Sequence, residues 1–194
     1  MAEDPGAGAL TGFVELRTAR LLLRRFRPDD VAAFAAYRSD PEVARFQGWD
    51  APYPTAAADA FVADLGRAVP GTPGQWYQIA VEEPVSGRLV GDVGVLTEAD
   101  PRLARIGFTI AGDAQGQGYA TDAVTAVLSH LFAGGTHRVS ADCDARNTRS
   151  AALLERVGMR REAHHRASAW WKGEWTDEYV YAVLAGEWSA RHNR

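Results

Sequence analysis

Three places in the chain hold residue types that could bind or transform a ligand. The first is Gln115-Gly116-Gln117-Gly118-Tyr119-Ala120-Thr121, which follows an alternating apolar run and opens a strongly periodic helix. Glycines let a backbone come close to a ligand, and the free N–H groups and dipole of a helix's first turn favour an anion such as phosphate. A tight strand-to-helix turn without a ligand is the competing reading, because lone glycine motifs occur often by chance. The second is Asp92, which interrupts Val90-Gly91-Asp92-Val93-Gly94-Val95. A carboxylate in so apolar a strand has a raised pKa unless it is paired, which suits a base or a water-relaying group; a structural ion pair is the alternative. The third is an aromatic set, Trp49, Trp170, Trp171, Trp175 and Tyr179, which could line a cleft or pack in a core or a dimer face. His164 and His165 are adjacent on a strand and face opposite ways, a poor metal pair, so no metal is expected.

These residues need elements to hold them. Residues 1–14 are rich in Gly, Ala and acids without periodicity and read as a flexible leader, with one domain spanning 15–190. Leu16 to Phe26 reads as a first strand, Pro28-Asp29-Asp30 starts a helix, Glu42 to Phe46 forms a second, and Thr55 caps a third. Strand-like runs Trp76 to Glu82 and Arg88 to Leu96 flank Pro84-Val85-Ser86-Gly87 as a hairpin, followed by Ala104 to Ile110. The helix after the glycine loop ends at Gly134-Gly135. Arg138 to Cys143 is then a strand parallel to the one before the loop, because a helical crossover joins them. Asn147 caps a further helix that stops at Gly158, and Glu162 to Trp171 with Trp175 to Leu184 form a last hairpin, closed by Trp188. The class is α/β with many antiparallel strands.

Composition narrows the function. With 194 residues, 46% of them hydrophobic, the chain can bury a core. A formal charge of −4 without a dense Lys/Arg run argues against a nucleic-acid or anionic-membrane surface. The single cysteine, Cys143, allows no internal disulfide and reads as core. No apolar run spans a bilayer and no secretory leader is visible, so a cytoplasmic location is expected. A dinucleotide site would match Gly116-x-Gly118 with Asp142 downstream, but Thr121 stands where a third small residue belongs and the loop comes late, after antiparallel strands.

Gln115-x-x-Gly118-x-Ala120 is similar to the Gln/Arg-x-x-Gly-x-Gly/Ala signature of the GNAT acyl-CoA-dependent N-acetyltransferases. Asp144-Ala145-Arg146-Asn147-Thr148-Arg149-Ser150 with Leu153 to Met159 resembles the second GNAT motif, in the branch of RimJ/RimL ribosomal-protein N-terminal acetyltransferases. Leu16-Arg17-Thr18-Ala19-Arg20-Leu21 and Asp40-Pro41-Glu42-Val43 resemble that branch's opening, so the resemblance spans nearly all the chain after the leader.

The resemblance implies a single domain with a mixed, mostly antiparallel sheet, splayed at the acyl-CoA site and flanked by helices. It places the pantetheine arm on Phe108, Thr109 and Ile110 and the pyrophosphate on Gln115, Gly116, Gln117, Gly118, Tyr119, Ala120 and Thr121, with Asn147 contacting the arm. Acetyl-CoA is then the cofactor, CoA the product, and the reaction a direct attack by a primary amine. A protein N-terminal α-amine is favoured by branch. The alternatives are a small aminoglycoside-like or polyamine acceptor and a non-catalytic acyl-CoA-binding regulator. Relatives often carry a glutamate where this chain has Arg105, which makes Asp92 the substitute base; no tyrosine lies among Ala151 to Leu154, which leaves Ser150 as the acid toward the departing thiolate. Trp49, Trp171 and Trp175 are the expected acceptor walls, in a monomer or homodimer.

Overall fold

The computed structural model describes residues 9–192. In chain order the elements are β1 (Glu15–Arg17), β2 (Leu22–Arg24), α1 (Val31–Arg38), α2 (Pro41–Ala44), α3 (Thr55–Arg67), β3 (Trp76–Glu83), β4 (Arg88–Thr97), β5 (Leu103–Ile110), α4 (Tyr119–Ala133), β6 (Arg138–Asp144), α5 (Thr148–Arg156), β7 (Arg160–Trp171), β8 (Glu174–Leu184) and α6 (Ala185–His192). The strands form one sheet of order β1-β2-β3-β4-β5-β6-β8-β7, in which β5 and β6 are the parallel pair. This is the expected mixed sheet.

Two expectations about the N-terminus are corrected. Leu16 to Phe26 is a hairpin, because the Thr18 hydroxyl accepts from the N–H groups of Arg20 (3.2 Å) and Leu21 (2.9 Å) and folds the run back on itself. A side-chain turn of this kind has no hydrophobic signature. Residues 9–14 are also no leader: Leu10 and Phe13 are buried, and the Phe13 ring sits edge-on to Tyr77 of β3 and His130 of α4. Leu10 and the Phe13-Val14 pair among small residues give no period to read, yet a wedge between a strand and a helix needs no more. The remainder of the expected leader, 1–8, lies outside the described residues.

The helices divide between the faces of the sheet. Asp92 of β4 meets Tyr37 of α1, and α1 packs on α3, so these cover one face. Phe13 joins β3 to α4, and Glu155 of α5 accepts from the Tyr181 hydroxyl of β8, so α4 and α5 cover the other. The core lies between, built on Phe34, Ile79, Val93, Ile106, Val124 and Leu128. Asp40 caps α2 by accepting from Glu42 N–H, while α3 begins at Thr55 with Pro54 in the cap position, one residue before the expected cap. No helix among the described residues is long and apolar enough to cross a membrane.

Two irregularities open the site. Parallel pairing of β5 with β6 covers only Leu103–Arg105 against Arg138–Ser140, after which the strands diverge. In β4, Val81 faces Gly91 while Glu82 faces Leu89, so Val90 is an extra, bulged residue opposite the end of β5. Gly91 is required there, since a Cβ would stand 2.2 Å from the Thr109 carbonyl oxygen.

Because Phe13 wedges the N-terminal segment into the core, Phe13→Ala is expected to lower stability by about 3–5 kcal/mol, the usual loss for a buried aromatic. Urea unfolding measures it; an unchanged midpoint would mean that the segment is not part of the cooperative unit.

Candidate active site

Beyond Arg105, β5 keeps β4 on one side and has no strand on the other. Backbone polar groups left this way need partners. Side chains reach some of them: Gln47 donates to the Phe108 carbonyl at 3.3 Å and Gln115 to the Ile110 carbonyl at 3.1 Å. Arg149 of α5 holds the other end of the Gln115 amide at 3.0 Å. The divergence leaves a cleft of about 1040 Å³, lined by Phe108, Thr109 and Ile110 on the floor, α2 and Gln47 on one side, and the β6–α5 turn and α5 on the other.

One end of the cleft is an anion cradle. Gly116 (φ 76°) and Gly118 (φ 83°) hold left-handed conformations that other residues rarely adopt, and Gly118 is the N-cap of α4, so the free N–H groups of a 15-residue helix open beside the loop. Arg45, Arg146, Arg149 and Arg156 also line the cleft, a concentration of positive charge in a chain of net −4. Gly116, Gly118, Tyr119, Ala120 and Thr121 line it. Gln117 does not: its side chain turns back to the Asp113 carbonyl. The Tyr119 hydroxyl is committed to Glu83, which raises its pKa and leaves it a brace of the loop.

Asn147 and Ser150 stand together on the opposite wall. The Asn147 side-chain oxygen caps α5 by accepting from the Ser150 N–H at 3.1 Å, and both residues line the cleft. The cap uses the backbone of Ser150, so the hydroxyl is left for other work.

A slot with one strand edge exposed, a phosphate cradle at its end and arginines along its rim has the shape and charge of an acyl-CoA site. The description "Acetyltransferase (GNAT) domain" matches residues 20–160. The chain belongs to the GNAT acetyltransferases. It is similar to an uncharacterized N-acetyltransferase, YnaD, of Bacillus subtilis, 28% identical over 91% of this chain and all of that one. It is also similar to the [ribosomal protein uS5]-alanine N-acetyltransferase of Escherichia coli, 28% identical over 43% of this chain and 44% of that one. The crystal structure of a GNAT acetyltransferase from Bacillus anthracis superposes with a TM-score of 0.79 at 28% identity, covering 89% of this chain and 99% of that one. The protein is therefore an N-acetyltransferase that uses acetyl-CoA, and the splayed β5 edge, the cradle and Asn147 fit that cofactor.

Several expected residues are placed elsewhere in this GNAT domain. Asp92 is 2% exposed and does not line the cleft; it lies under α1, accepting from the Tyr37 hydroxyl at 2.6 Å, with an Arg38 nitrogen 3.8 Å away. Trp49 stacks on that same Arg38, 3.9 Å from the guanidinium carbon, and donates its N–H to the Arg38 carbonyl. It is a wall of the Arg38 cage, which Phe34, Tyr53 and Phe61 complete, and it does not line the cleft. Trp175 is exposed against Trp170 on the far side of its hairpin. Trp171 sits by Gly48, next to the contact that closes the hairpin on the cleft: Lys172 donates to the carbonyls of Ala44 and Trp49, and Glu174 holds Arg146. These misplacements share a cause, since a side chain's partner depends on which helix covers its face of the sheet. Arg105 lies 3.7 Å from both Glu98 and Asp142, and burial pushes the Asp142 carboxyl up. The Cys143 thiol is pushed up to about 11 by burial, then by Asp142 and Asp144, and is no nucleophile.

Burial raises the Asp92 pKa, with Arg38 and the Tyr37 hydrogen bond pulling it down less strongly. A raised folded value means that its contribution to stability is full below the ordinary 3.8 and is lost as pH rises through the folded value. Asp92→Asn keeps an acceptor for Tyr37, so its stability relative to wild type is expected to rise as pH climbs from the ordinary 3.8 through the raised folded value, with an unchanged pH–rate profile. Asp92→Ala strands the Tyr37 hydroxyl and is expected to cost about 1–3 kcal/mol. Urea unfolding and a pH–rate series measure both; a shifted profile in Asp92→Asn would return Asp92 to proton transfer.

Proposed function

We propose that this N-acetyltransferase acts on a protein N-terminal α-amine. The observation that carries the reading is the composition of the cleft wall. Among the described residues, the only carboxylate lining the cleft belongs to Glu42, on its exposed rim. A cleft without a buried base suits an acceptor that loses its proton readily. At pH 7.5 an α-amine of pKa about 8 is neutral in about a quarter of molecules, whereas a lysine-like amine near 10.4 is neutral in about a thousandth. The similarity to the uS5-alanine N-acetyltransferase, which extends over 85 residues, supports the same acceptor class.

Acetyl-CoA, when bound, supplies a thioester carbonyl activated toward amines. The chain's part is positional. Gly116, Gly118 and the first turn of α4 would hold the phosphates, and the free edge of Phe108 to Ile110 would align the arm. Ser150, on the opposite wall, would give its proton to the departing sulfur and be reprotonated, by way of water, with the proton that the amine nitrogen sheds as the amide forms. A thiol of pKa about 8.5 is already a fair leaving group, so this proton transfer is worth the lower end of general acid catalysis, about a hundredfold.

Ser150→Ala is therefore expected to lower kcat about a hundredfold with little change in CoA affinity; undiminished turnover at saturating substrates would reduce Ser150 to a helix residue. Thiol release with peptides carrying free Ala or Ser N-termini, run beside spermidine and an aminoglycoside, tests the acceptor. Peptide N-termini are expected to be acetylated preferentially, and a preference for either small amine would overturn this reading. CoA binding without turnover on any of them would favour a non-catalytic acyl-CoA sensor.

A further inference from the structure

The turn Thr18-Ala19-Arg20 between β1 and β2 has no part in the chemistry described above, yet it touches the phosphate cradle. Thr18 fixes the turn: its hydroxyl accepts from two N–H groups, and its own N–H donates to the Leu21 carbonyl at 2.9 Å. Arg20 projects from it onto a segment 97 residues later in the chain. One guanidinium nitrogen donates to the Gln117 carbonyl at 2.8 Å, and another to Asp122 in the first turn of α4 at 2.9 Å. Its carbon stands 5.2 Å from the centre of the Tyr119 ring, and a Cβ on Gly118 would come within 3.0 Å of its Nη2.

Gly118 lines the cleft; Arg20 does not. The peptide between Gln117 and Gly118 is planar and trans, so its carbonyl and its N–H point in opposite directions. Because Arg20 holds the Gln117 carbonyl, the Gly118 N–H is directed away from Arg20. The fork shape of the guanidinium matters, because one planar group must hold the carbonyl and Asp122 together. We infer that Arg20 is a positioning residue for the diphosphate of the cofactor: without touching the ligand, it sets the direction of the Gly118 N–H and fixes the loop to the helix.

The test compares acetyl-CoA with S-acetylpantetheine, which has the arm and the thioester but no phosphate. Arg20→Ala is expected to raise the CoA Kd about tenfold, the loss that about 1.4 kcal/mol produces. Turnover of S-acetylpantetheine and kcat at saturating acetyl-CoA should stay within about twofold, well under that tenfold step. A general loss of structure would depress both donors alike, and that result, or an unchanged CoA Kd, overturns the inference. Arg20→Lys keeps the charge without the fork and is expected to bind CoA as weakly as Arg20→Ala; wild-type affinity in Arg20→Lys would mean simple charge attraction. Asp122→Ala removes the second anchor and should weaken CoA selectively in the same way, which serves if Arg20→Ala does not fold. The inference rests on CoA as cofactor, and wild-type protein that fails to bind CoA would refute that assignment instead.

Discussion

The divergence of β5 from β6 is the constraint on which the rest of this protein depends. A parallel ladder that ends after Arg105 and Ser140 leaves half of a central strand without partners on one side. Unpaired backbone in a protein interior is costly, and irregular sheet edges persist where something else uses them. Here the bulge at Val90 bends β4 next to the opening, and Gln47 and Gln115 reach two of the stranded carbonyls. An amide-bearing pantetheine arm is suited to the same edge, which is why one break in a ladder can serve as a cofactor site.

Around that break the chain uses charge in two ways. Beneath the first helix, Arg24 is buried with Asp30 and Glu82 at 2.7 and 2.6 Å, and Arg38 is wrapped by aromatic rings beside Asp92. Buried ionic groups contribute little net stability but tolerate few alternative arrangements, so they seat α1 in one place on the sheet. At the cleft the contacts are exposed: Lys172 and Glu174, on one hairpin turn, reach the loop after α2 and the turn before α5. That turn spans both walls, and exposed contacts of this kind open at small free-energy cost. The scaffold is fixed by desolvated charge, the mouth by solvated charge.

Much of this was legible in the chain itself. The turn at Pro84 to Gly87, the helix after Gly118, the Asn147 cap and the αL residue Gly158 (φ 99°) all stand where local patterns place them. Each rests on a contact within a few residues. What was not legible spans long separations. Leu10 and Phe13 lack a period, the Thr18 turn hides inside an apolar run, and Asp92 meets Tyr37 across 55 positions.

By itself, then, the sequence determined the glycine loop, the capped helix that carries Ser150 and the strand that lies between them in the chain, because these depend on backbone conformation and local hydrogen bonds. Only the tertiary structure decided which side chains face the cleft. Asp92 and Trp49 were the chemically attractive residues, and the cover of α1 turned both into the packing of Arg38. Arg20 looked like one arginine among several in an opening strand, and the fold set it behind the cradle. The direction of a side chain follows from the alternation of its strand, but what it meets depends on the element laid over that face, and that is settled when the sheet and helices pack.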